Sequence, residues 1–341
     1  MPLTTRRLII AFGAYTPDLM MSQHFLLSAK ARTLSLAKVM RLTDEEAYDT
    51  FKAVRWTDGK ATCAKCGSVE VYEYKARRIF KCKGCNTQFS VTSGTIFASR
   101  KMPVRDLLAA IAIFVNGAKG HSALQLSRDL DCQYKTAFVL AHKLREAMTA
   151  ADKGKKLSGE VEIDGMYTGG HVRPANHKAD RVDRRLAENQ TGKRKVVIVA
   201  RQRGGQTLTF VTNSEADGVR GLHDRIALGS TVYADEASHW DAFHARYVTK
   251  RINHSVAYSH NGASTNLAES YFSRLRRAEI GIHHKIAGPH LAAYAGEMDW
   301  REDNRRISNG EQYALVTRAA LAHPVSAQWK GYWQRSRANH G

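Results

Sequence analysis

The sequence predicts an α/β protein in which a small cysteine-rich ribbon and a helical region precede a mixed β-sheet with helices. Three observations lead to this fold class: two CxxC pairs near the N-terminus, helical periodicity from Pro103 onward, and strand-like runs from residue 160 that alternate with helical stretches. The chain has 341 residues, 43% of them hydrophobic, so it can form more than one buried core.

Changes in composition along the chain divide it into five segments. The first 20 residues differ in texture from the rest of the chain, and "ADKGKKLSG" reads as a linker. The expected segments are a partly disordered leader (1–42), an N-terminal helix with the ribbon (43–100), a helical region (101–150), the sheet domain (158–306) and a C-terminal tail (307–341).

The balance of charge indicates a polyanionic partner. Lys and Arg total 52 and Asp and Glu total 32, which gives a formal net charge of +20. Neutralising phosphates releases condensed counterions, so nucleic acid is the expected partner. The alternative is a protein that merely has a high isoelectric point. No apolar run is long enough to span a bilayer, so we expect a cytoplasmic protein.

The helix and ribbon of the second segment have clear local signals. Thr43 and Glu46 form a capping-box pair at the start of a helix, and "VEVYEY" and "RIFKC" alternate like two short strands. Four of the five cysteines follow the pattern C-x2-C-x15-C-x2-C, which is a spacing typical of structural zinc sites. Cysteines that bind metal rather than form disulfides indicate a reducing compartment. The predicted zinc ligands are Cys63, Cys66, Cys82 and Cys85. Four thiolates leave no open coordination position, so this zinc is expected to be structural.

The helical region has the pattern of a helix-turn-helix. "VRDLLAAIAIFV" predicts a buried helix, and a Ser122 cap begins a second one. The third, in "YKTAFVLAHKLREAM", has an apolar stripe, with Lys135, Lys143 and Arg145 off that stripe as candidate DNA contacts. A three-helix bundle without a reading role would give a similar pattern.

The sheet domain has the predicted element order β-β-β-α-β-α-β-α. Strands are expected at "EVEID", "KVVIVARQ", "TLTFVTN", "TVYAD" and "YVTKRIN", and a last helix near Asn266. This order matches an RNase H-like domain. The insert 171–195, between the first two strands, holds eight basic and three acidic residues, so it is either a phosphate-tracking loop or an ordinary solvated one.

Three acidic residues are expected to meet in this domain. Alternation puts Glu160, Glu162 and Asp164 on one face of the first strand, and Asp235 ends the fourth strand. Glu269 lies early in the last helix, with Asn266 one turn before it as a second candidate. Converging carboxylates repel one another unless cations are bound, and oxygen ligands favour Mg²⁺ or Mn²⁺.

Several motifs together resemble a known family. The ribbon, then "FSVTSGTIFASRKMP", "EIDGMYTGG", "VYADEASHW", "STNLAESYFSRLRR" and "GPHLAAYAGEMDWREDNRR", resemble bacterial insertion-sequence transposases with an N-terminal zinc ribbon and a DDE-type, RNase H-like catalytic domain. The resemblance covers roughly residues 22–306.

The resemblance implies residue roles. Asp164 and Asp235 would bind the catalytic metal, with Glu269 or Asn266 in the third position, of which we favour Glu269. The basic residues Arg274, Arg276 and Arg277 come after the third acid and are expected to contact DNA. Two departures stand out: Gly165 where relatives often have Glu, and Ser264 where they often have His.

These features predict a transposase that binds the inverted-repeat ends of an insertion sequence and performs metal-dependent DNA cleavage and strand transfer. Its expected partners are double-stranded DNA ends and target DNA, and it would act as a dimer or larger assembly associated with the bacterial nucleoid. A DNA-binding regulator derived from an inactive transposase and a structure-selective nuclease are the alternatives.

Overall fold

The computed structural model describes residues 25–150, 154–169, 175–183, 189, 194–253 and 264–338. The expected fold class is confirmed: a three-stranded ribbon and a helical region precede a five-stranded mixed sheet. None of the helices in the described residues is long and apolar enough to cross a membrane.

The N-terminal segment is more ordered than expected. Residues 25–42 contain helix α1 (Leu36–Met40), and the side chains of Ala31 and Val39 are buried. The backbone N–H groups of Thr33 and Leu34 donate hydrogen bonds to the Asn309 side chain. Residues 25–42 are therefore an ordered part of the predicted leader, because a partner 275 residues away fixes this backbone. Residues 1–24 lie outside the described part of the chain.

The ribbon has the predicted helix and strands. Helix α2 (Asp44–Arg55) begins at the Thr43–Glu46 capping box, in which both reciprocal hydrogen bonds form. The antiparallel ribbon consists of β1 (Val71–Tyr74), β2 (Ile79–Cys82) and β3 (Gln88–Phe89). Trp56 packs edge-on against Phe80 of the ribbon, with ring centroids 5.1 Å apart.

The helical region contains the three expected helices. They are α3 (Val104–Asn116), α4 (Ala123–Asp129) and α5 (Tyr134–Thr149). The predicted Ser122 cap and the apolar stripe of α5 are both confirmed.

The C-terminal segment belongs to the core of this helical region and is not a tail. Val316, Ala320 and Leu321 of a later helix, Asn309–Ala322, are buried among the residues of α3 and α5. The Ser308–Glu311 capping box signals this helix in the sequence, so the prediction of a tail overlooked a local cue.

The sheet has the order predicted for an RNase H-like domain. Its strands are β4 (Glu160–Thr168), β5 (Lys195–Gln202), β6 (Thr207–Thr212), β7 (Thr231–Asp235) and β8 (Val248–Ile252), in the spatial order β6-β5-β4-β7-β8. The pairs β4/β5 and β5/β6 are antiparallel, and β4/β7 and β7/β8 are parallel.

Helices cover both faces of this sheet. One face carries α6 (Glu215–His223) and the 3-10 helix Ser238–Ala245, which the sequence predicted as an ordinary helix. The other face carries α7 (Asn266–Ala278) and α8 (Leu291–Asp303). The later helices are α9 (Asn309–Ala322) and α10 (Tyr332–Ala338).

Strand β4 alternates between the two faces as predicted. Val161 and Ile163 pack with the α6 side, whereas Met166 packs with the residues of α7 and α8. The Glu162 carboxylate accepts a hydrogen bond from the backbone N–H of Leu267, at the start of α7. Asp164 is two residues after Glu162 and therefore belongs to the α7 face.

Much of the basic insert lies outside the described residues, namely 171–174, 184–188 and 190–193. In the described part, Arg194 stacks over the Tyr167 ring at 4.6 Å, and Arg181 donates to the carbonyl groups of Ala175 and Asn176. Contact between this insert and a phosphate backbone stays a prediction.

A buried ionic cluster joins the helical region to the sheet domain. Glu297 of α8 accepts hydrogen bonds from Arg145 of α5 at 2.6 Å and from Arg301 at 2.8 Å, and Arg301 also donates to the carbonyl of Phe114 at the end of α3. Burial opposes ionisation of Glu297, but the two guanidinium groups outweigh it and hold its pKa down at about 2. This carboxylate is therefore an ionised junction between α3, α5 and α8.

We expect Glu297→Gln to lower the free energy of unfolding by about 3–5 kcal/mol, because it leaves two buried guanidinium groups without a counter-charge. Urea denaturation followed by circular dichroism measures the loss. The control is Asp224→Asn, which removes an exposed ion pair with Arg246 and should change stability by less than about 1 kcal/mol. Equal effects of the two substitutions would contradict the structural role of the cluster.

Candidate zinc site and active site

The four cysteines of the ribbon converge as the spacing predicted. Their sulfur atoms all lie within 4.8 Å of one another. The Sγ atoms of Cys63 and Cys85 are 3.7 Å apart, and those of Cys66 and Cys82 are 3.5 Å apart. A tetrahedral zinc with Zn–S bonds of about 2.3 Å needs S···S edges of about 3.8 Å. The thiol groups therefore fit a structural zinc ion.

Both knuckles make their tight turn at the residue after the second cysteine. Gly67 has φ +74°, and its N–H donates to the Cys63 carbonyl at 2.9 Å. In the second knuckle the left-handed residue is Asn86, with φ +55°. Asn tolerates this conformation better than other residues that carry a side chain, so the two turns are equivalent despite different sequences.

The parallel pairing of β4 with β7 aligns the two aspartates. The register pairs Val161 with Val232 and Glu162 with Tyr233. Two residues further along each strand are Asp164 and Asp235, where β7 ends. The Asp235 side chain accepts the N–H of Ala237, which turns the chain away from the sheet. The structure thus brings Asp164 and Asp235 to one place at the sheet edge.

Helix α7 brings the third acid to this edge. Glu269 lies in its first turn and is exposed, as is Asn266, the first residue of the helix. Both candidates for the third position are therefore accessible to solvent at the start of α7.

A buried carboxylate anchors the start of α7. Glu162, only 1% exposed, accepts the N–H of Leu267 at 2.7 Å and pairs with Arg203 at 2.8 Å. Ser264 donates to the same carboxylate and accepts from Arg203. Glu162 thus has the role of a helix cap supplied by a strand, and it fixes α7 beside β4.

The environment of Asp164 favours its protonated form. Burial raises its pKa to about 7, and the charges of Asp235, Glu215 and Glu269 act in the same direction, although the N–H of Gly165 donates to Asp164 at 2.7 Å. The charges of three other carboxylates therefore act on Asp164, and one of them, Glu215, was absent from the sequence prediction.

The acids form a wider group than the cysteines. Among the described residues, the cysteine cluster is the only group whose ligand atoms all lie within 4.8 Å. The ligands of two cations that lie about 3.5–4 Å apart are spread more widely than the ligands of a single ion. An all-oxygen set of mutually repelling acids fits a pair of Mg²⁺ or Mn²⁺ ions.

The candidate DNA-binding residues of α5 have different environments. Lys135 is exposed, and its ammonium group lies 5.3 Å from the Trp333 ring centroid. Lys143 is half-buried, and burial lowers its pKa. Arg145 is buried in the pair with Glu297, so its prediction as a DNA contact is wrong. Local periodicity gave no sign of Glu297, which lies 152 residues further along the chain.

Much of the predicted reading helix α5 is covered by the C-terminal segment. Phe138 packs against Trp329, Tyr332 and Trp333, and His142 stacks on Trp329 with ring centroids 4.2 Å apart. This packing resembles the interior of a helical bundle. Only the N-terminal end of α5, residues 134–136, stays exposed, which is the end that a helix-turn-helix presents to base edges.

The arginines of α7 divide into one structural and two accessible residues. Arg274 pairs with buried Glu302 of α8 at 2.8 Å, which ties α7 to α8. Arg276 and Arg277 are exposed near the end of α7. These two are the better placed for contact with DNA phosphates.

We expect Cys82→Ser to release zinc and to loosen the ribbon, because three thiolates cannot complete the tetrahedron. Hydrogen exchange should become fast in residues 71–89, while residues 195–202 of the sheet core keep their protection. Cys132→Ser, which changes the one cysteine outside the knuckles, is the control and should leave both regions unchanged. Unaltered exchange in the ribbon of Cys82→Ser would contradict the zinc assignment.

The raised pKa of Asp164 predicts a pH dependence of stability without divalent cations in the buffer. The protonated carboxyl favours the folded state at low pH, and this contribution is lost as the pH rises through about 7. Between pH 6 and 8 the free energy of unfolding of the wild type should fall by about 1 kcal/mol relative to that of Asp164→Asn. The reason is that the pKa of Asp164 is higher in the folded state than in the unfolded state. Chemical denaturation at both pH values tests this, and parallel curves for the two proteins would refute it.

Comparisons with known proteins agree with this geometry. Residues 156–303 match a family model described as an ISXO2-like transposase domain, and residues 42–88 match a transposase zinc-ribbon domain. An uncharacterized protein in transposable element ISH50 of Halobacterium salinarum is 24% identical over 82% of this chain and 98% of its own length. This relative is archaeal, so the likeness is not confined to bacterial elements. No solved structure gives a significant match. Both domains are present in the predicted order, so the chain combines an N-terminal transposase zinc-ribbon domain with a DDE-type, ISXO2-like transposase domain.

Proposed function

We propose that this protein binds the inverted-repeat ends of an insertion sequence, cuts DNA strands there and joins the freed ends to target DNA. The observation that carries the proposal is the parallel register of β4 and β7, which brings Asp164 and Asp235 together beside the first turn of α7. In an RNase H-like domain, this arrangement supplies a carboxylate site for phosphoryl transfer.

The proposed reaction consists of two displacements at phosphorus. In the first, the oxygen of water attacks a DNA phosphate and the 3′ oxygen leaves as a 3′-OH. In the second, that 3′-OH attacks a phosphate of the target strand to form a new phosphodiester bond, and the 3′ oxygen of the target strand leaves as a 3′-OH. When bound, a pair of Mg²⁺ or Mn²⁺ ions would make the attacking oxygen a better nucleophile and neutralise charge on the leaving oxygen. Asp164, Asp235 and Glu269 would hold these ions, with Asn266 as the alternative third ligand.

Burial of Asp164 contributes to this role. Asp164 is half-buried, and its surroundings raise its pKa to about 7. A nearby cation would therefore stabilise its ionised form. Rigid support from Glu162 and Arg274 keeps α7, and with it Glu269, from moving away from β4 under this repulsion.

The accessible basic residues are proposed to bind DNA. Lys135 at the start of α5 and Arg276 and Arg277 of α7 are exposed, and Lys143 is partly accessible. Two DNA ends must be held together for joining, so we propose that at least a dimer acts in the synaptic complex.

We expect Asp235→Asn to reduce strand cleavage and strand transfer by about a thousandfold, or about 4 kcal/mol of activation free energy, while binding of end DNA is retained. The measurement is an assay with labelled end DNA in Mg²⁺, beside a gel-shift titration. Asp241→Asn, at an exposed carboxylate of the neighbouring 3-10 helix, is the matched control and should keep its activity.

Other results would favour the alternatives. If Asp235→Asn and the wild type both bind DNA and neither cuts it, the chain is a DNA-binding regulator. Cleavage products without joined products would indicate a structure-selective nuclease. Equal strand transfer by both proteins would refute the assignment of Asp235.

A further inference from the structure

A fourth carboxylate reaches the proposed active site from the opposite layer of the sheet. Glu215 is the first residue of α6, directly after its N-cap Ser214, and α6 covers the face of the sheet opposite to α7. Its side chain is 18% exposed and lies over the backbone of β4 beside Asp164.

This approach is possible because residue 165 is glycine. A Cβ atom at Gly165 would lie 2.4 Å from Oε1 of Glu215 and 2.7 Å from its Cγ, which is closer than such atoms come. Gly165 does not have a positive φ, so the backbone conformation alone does not require glycine here. The requirement is space for the Glu215 carboxylate.

A second side chain lies close to the carboxylate. Nε2 of His239 is 3.1 Å from Oε2 of Glu215, and the His239 ring rests against Trp240 with ring centroids 4.4 Å apart. His239 belongs to the 3-10 helix that comes after β7, four residues beyond Asp235. Glu215 is therefore held between the strand of Asp164 and the segment next to Asp235.

Electrostatic coupling agrees with this position. Burial and the charge of Asp235 raise the pKa of Glu215, and the charge of Glu215 in turn helps to raise that of Asp164. A carboxylate placed against two others costs free energy in the absence of a cation, and a bound cation turns the same placement into an attraction.

We propose that Glu215 is a fourth carboxylate ligand of the catalytic cations, admitted by Gly165 and flanked by His239. This inference rests on the proposed function, because it extends the same metal site. It also gives Gly165 a role: the glycine leaves room for an acid from α6 next to the first aspartate.

Binding of Mn²⁺ to the full-length zinc-loaded protein tests the proposal, with Mn²⁺ titrated by calorimetry and electron paramagnetic resonance. Thiolate ligands favour zinc, so added Mn²⁺ should report on the carboxylates. We expect Glu215→Gln to weaken Mn²⁺ binding about tenfold, in line with the loss of a supporting ligand contact. Asp217→Asn, which removes an exposed acid from the same turn of α6, should bind Mn²⁺ as the wild type does.

Thermal unfolding separates a ligand from a structural residue. Glu215→Gln should raise the melting temperature of the protein without divalent cations, because it removes a repelling charge, and should reduce the increase that Mn²⁺ causes. A purely structural glutamate would lower the melting temperature in both conditions. Gly165→Ala should displace Glu215 and weaken Mn²⁺ binding, and the double variant should be no worse than either single one.

The outcomes distinguish this inference from the proposed function. Wild-type Mn²⁺ affinity in Glu215→Gln, combined with weak binding in Asp164→Asn and Asp235→Asn, would overturn the role of Glu215 alone. Wild-type Mn²⁺ affinity in all three variants would overturn the carboxylate metal site itself.

Discussion

The structure depends on the burial of acidic side chains along one helix, α8. Glu297 forms ion pairs with Arg145 and Arg301, and Glu302 forms ion pairs with Arg201 and Arg274. Each carboxylate faces a different neighbour, so a single helix binds the helical region on one side and the sheet and α7 on the other. Ionised groups in an interior are tolerated only when they are paired, which makes these contacts mutually dependent.

This constraint reaches the active site through α7. Arg274 connects α7 to α8, and Arg201 donates both to Glu302 and to the carbonyl of Leu267 in the first turn of α7. Glu162 caps the same turn from β4. The third acid of the proposed site is thus exposed on a helix whose start is fixed by buried charges, which suits a group that must hold its position against neighbouring carboxylates.

The ribbon and helical region form one continuous core rather than two separate modules. Phe80 and Phe89 of the ribbon, residues of α3 and α5, and Leu321 of α9 all belong to the same cluster of buried side chains. A zinc ion held by the cysteines would therefore stabilise a unit that includes the exposed N-terminal end of α5. The Arg145–Glu297 pair connects this unit to helix α8 of the sheet domain.

Features that depend on local spacing could be predicted from the amino-acid sequence. These include the cysteine knuckles, the capping box at Thr43, the order of strands and helices, and the alternation in β4 that directs Asp164 toward α7. Such features result from the periods of strands and helices and from the short reach of a zinc ion. The distant group that completes each site emerged only from the packing of the folded chain. The packing of α5 against α8 buries Arg145 beside Glu297. Packing also places Glu215 over Gly165, although 50 residues separate these two along the chain. Periodicity reports that a side chain faces an interior, but the partner it meets there is set by how whole elements pack.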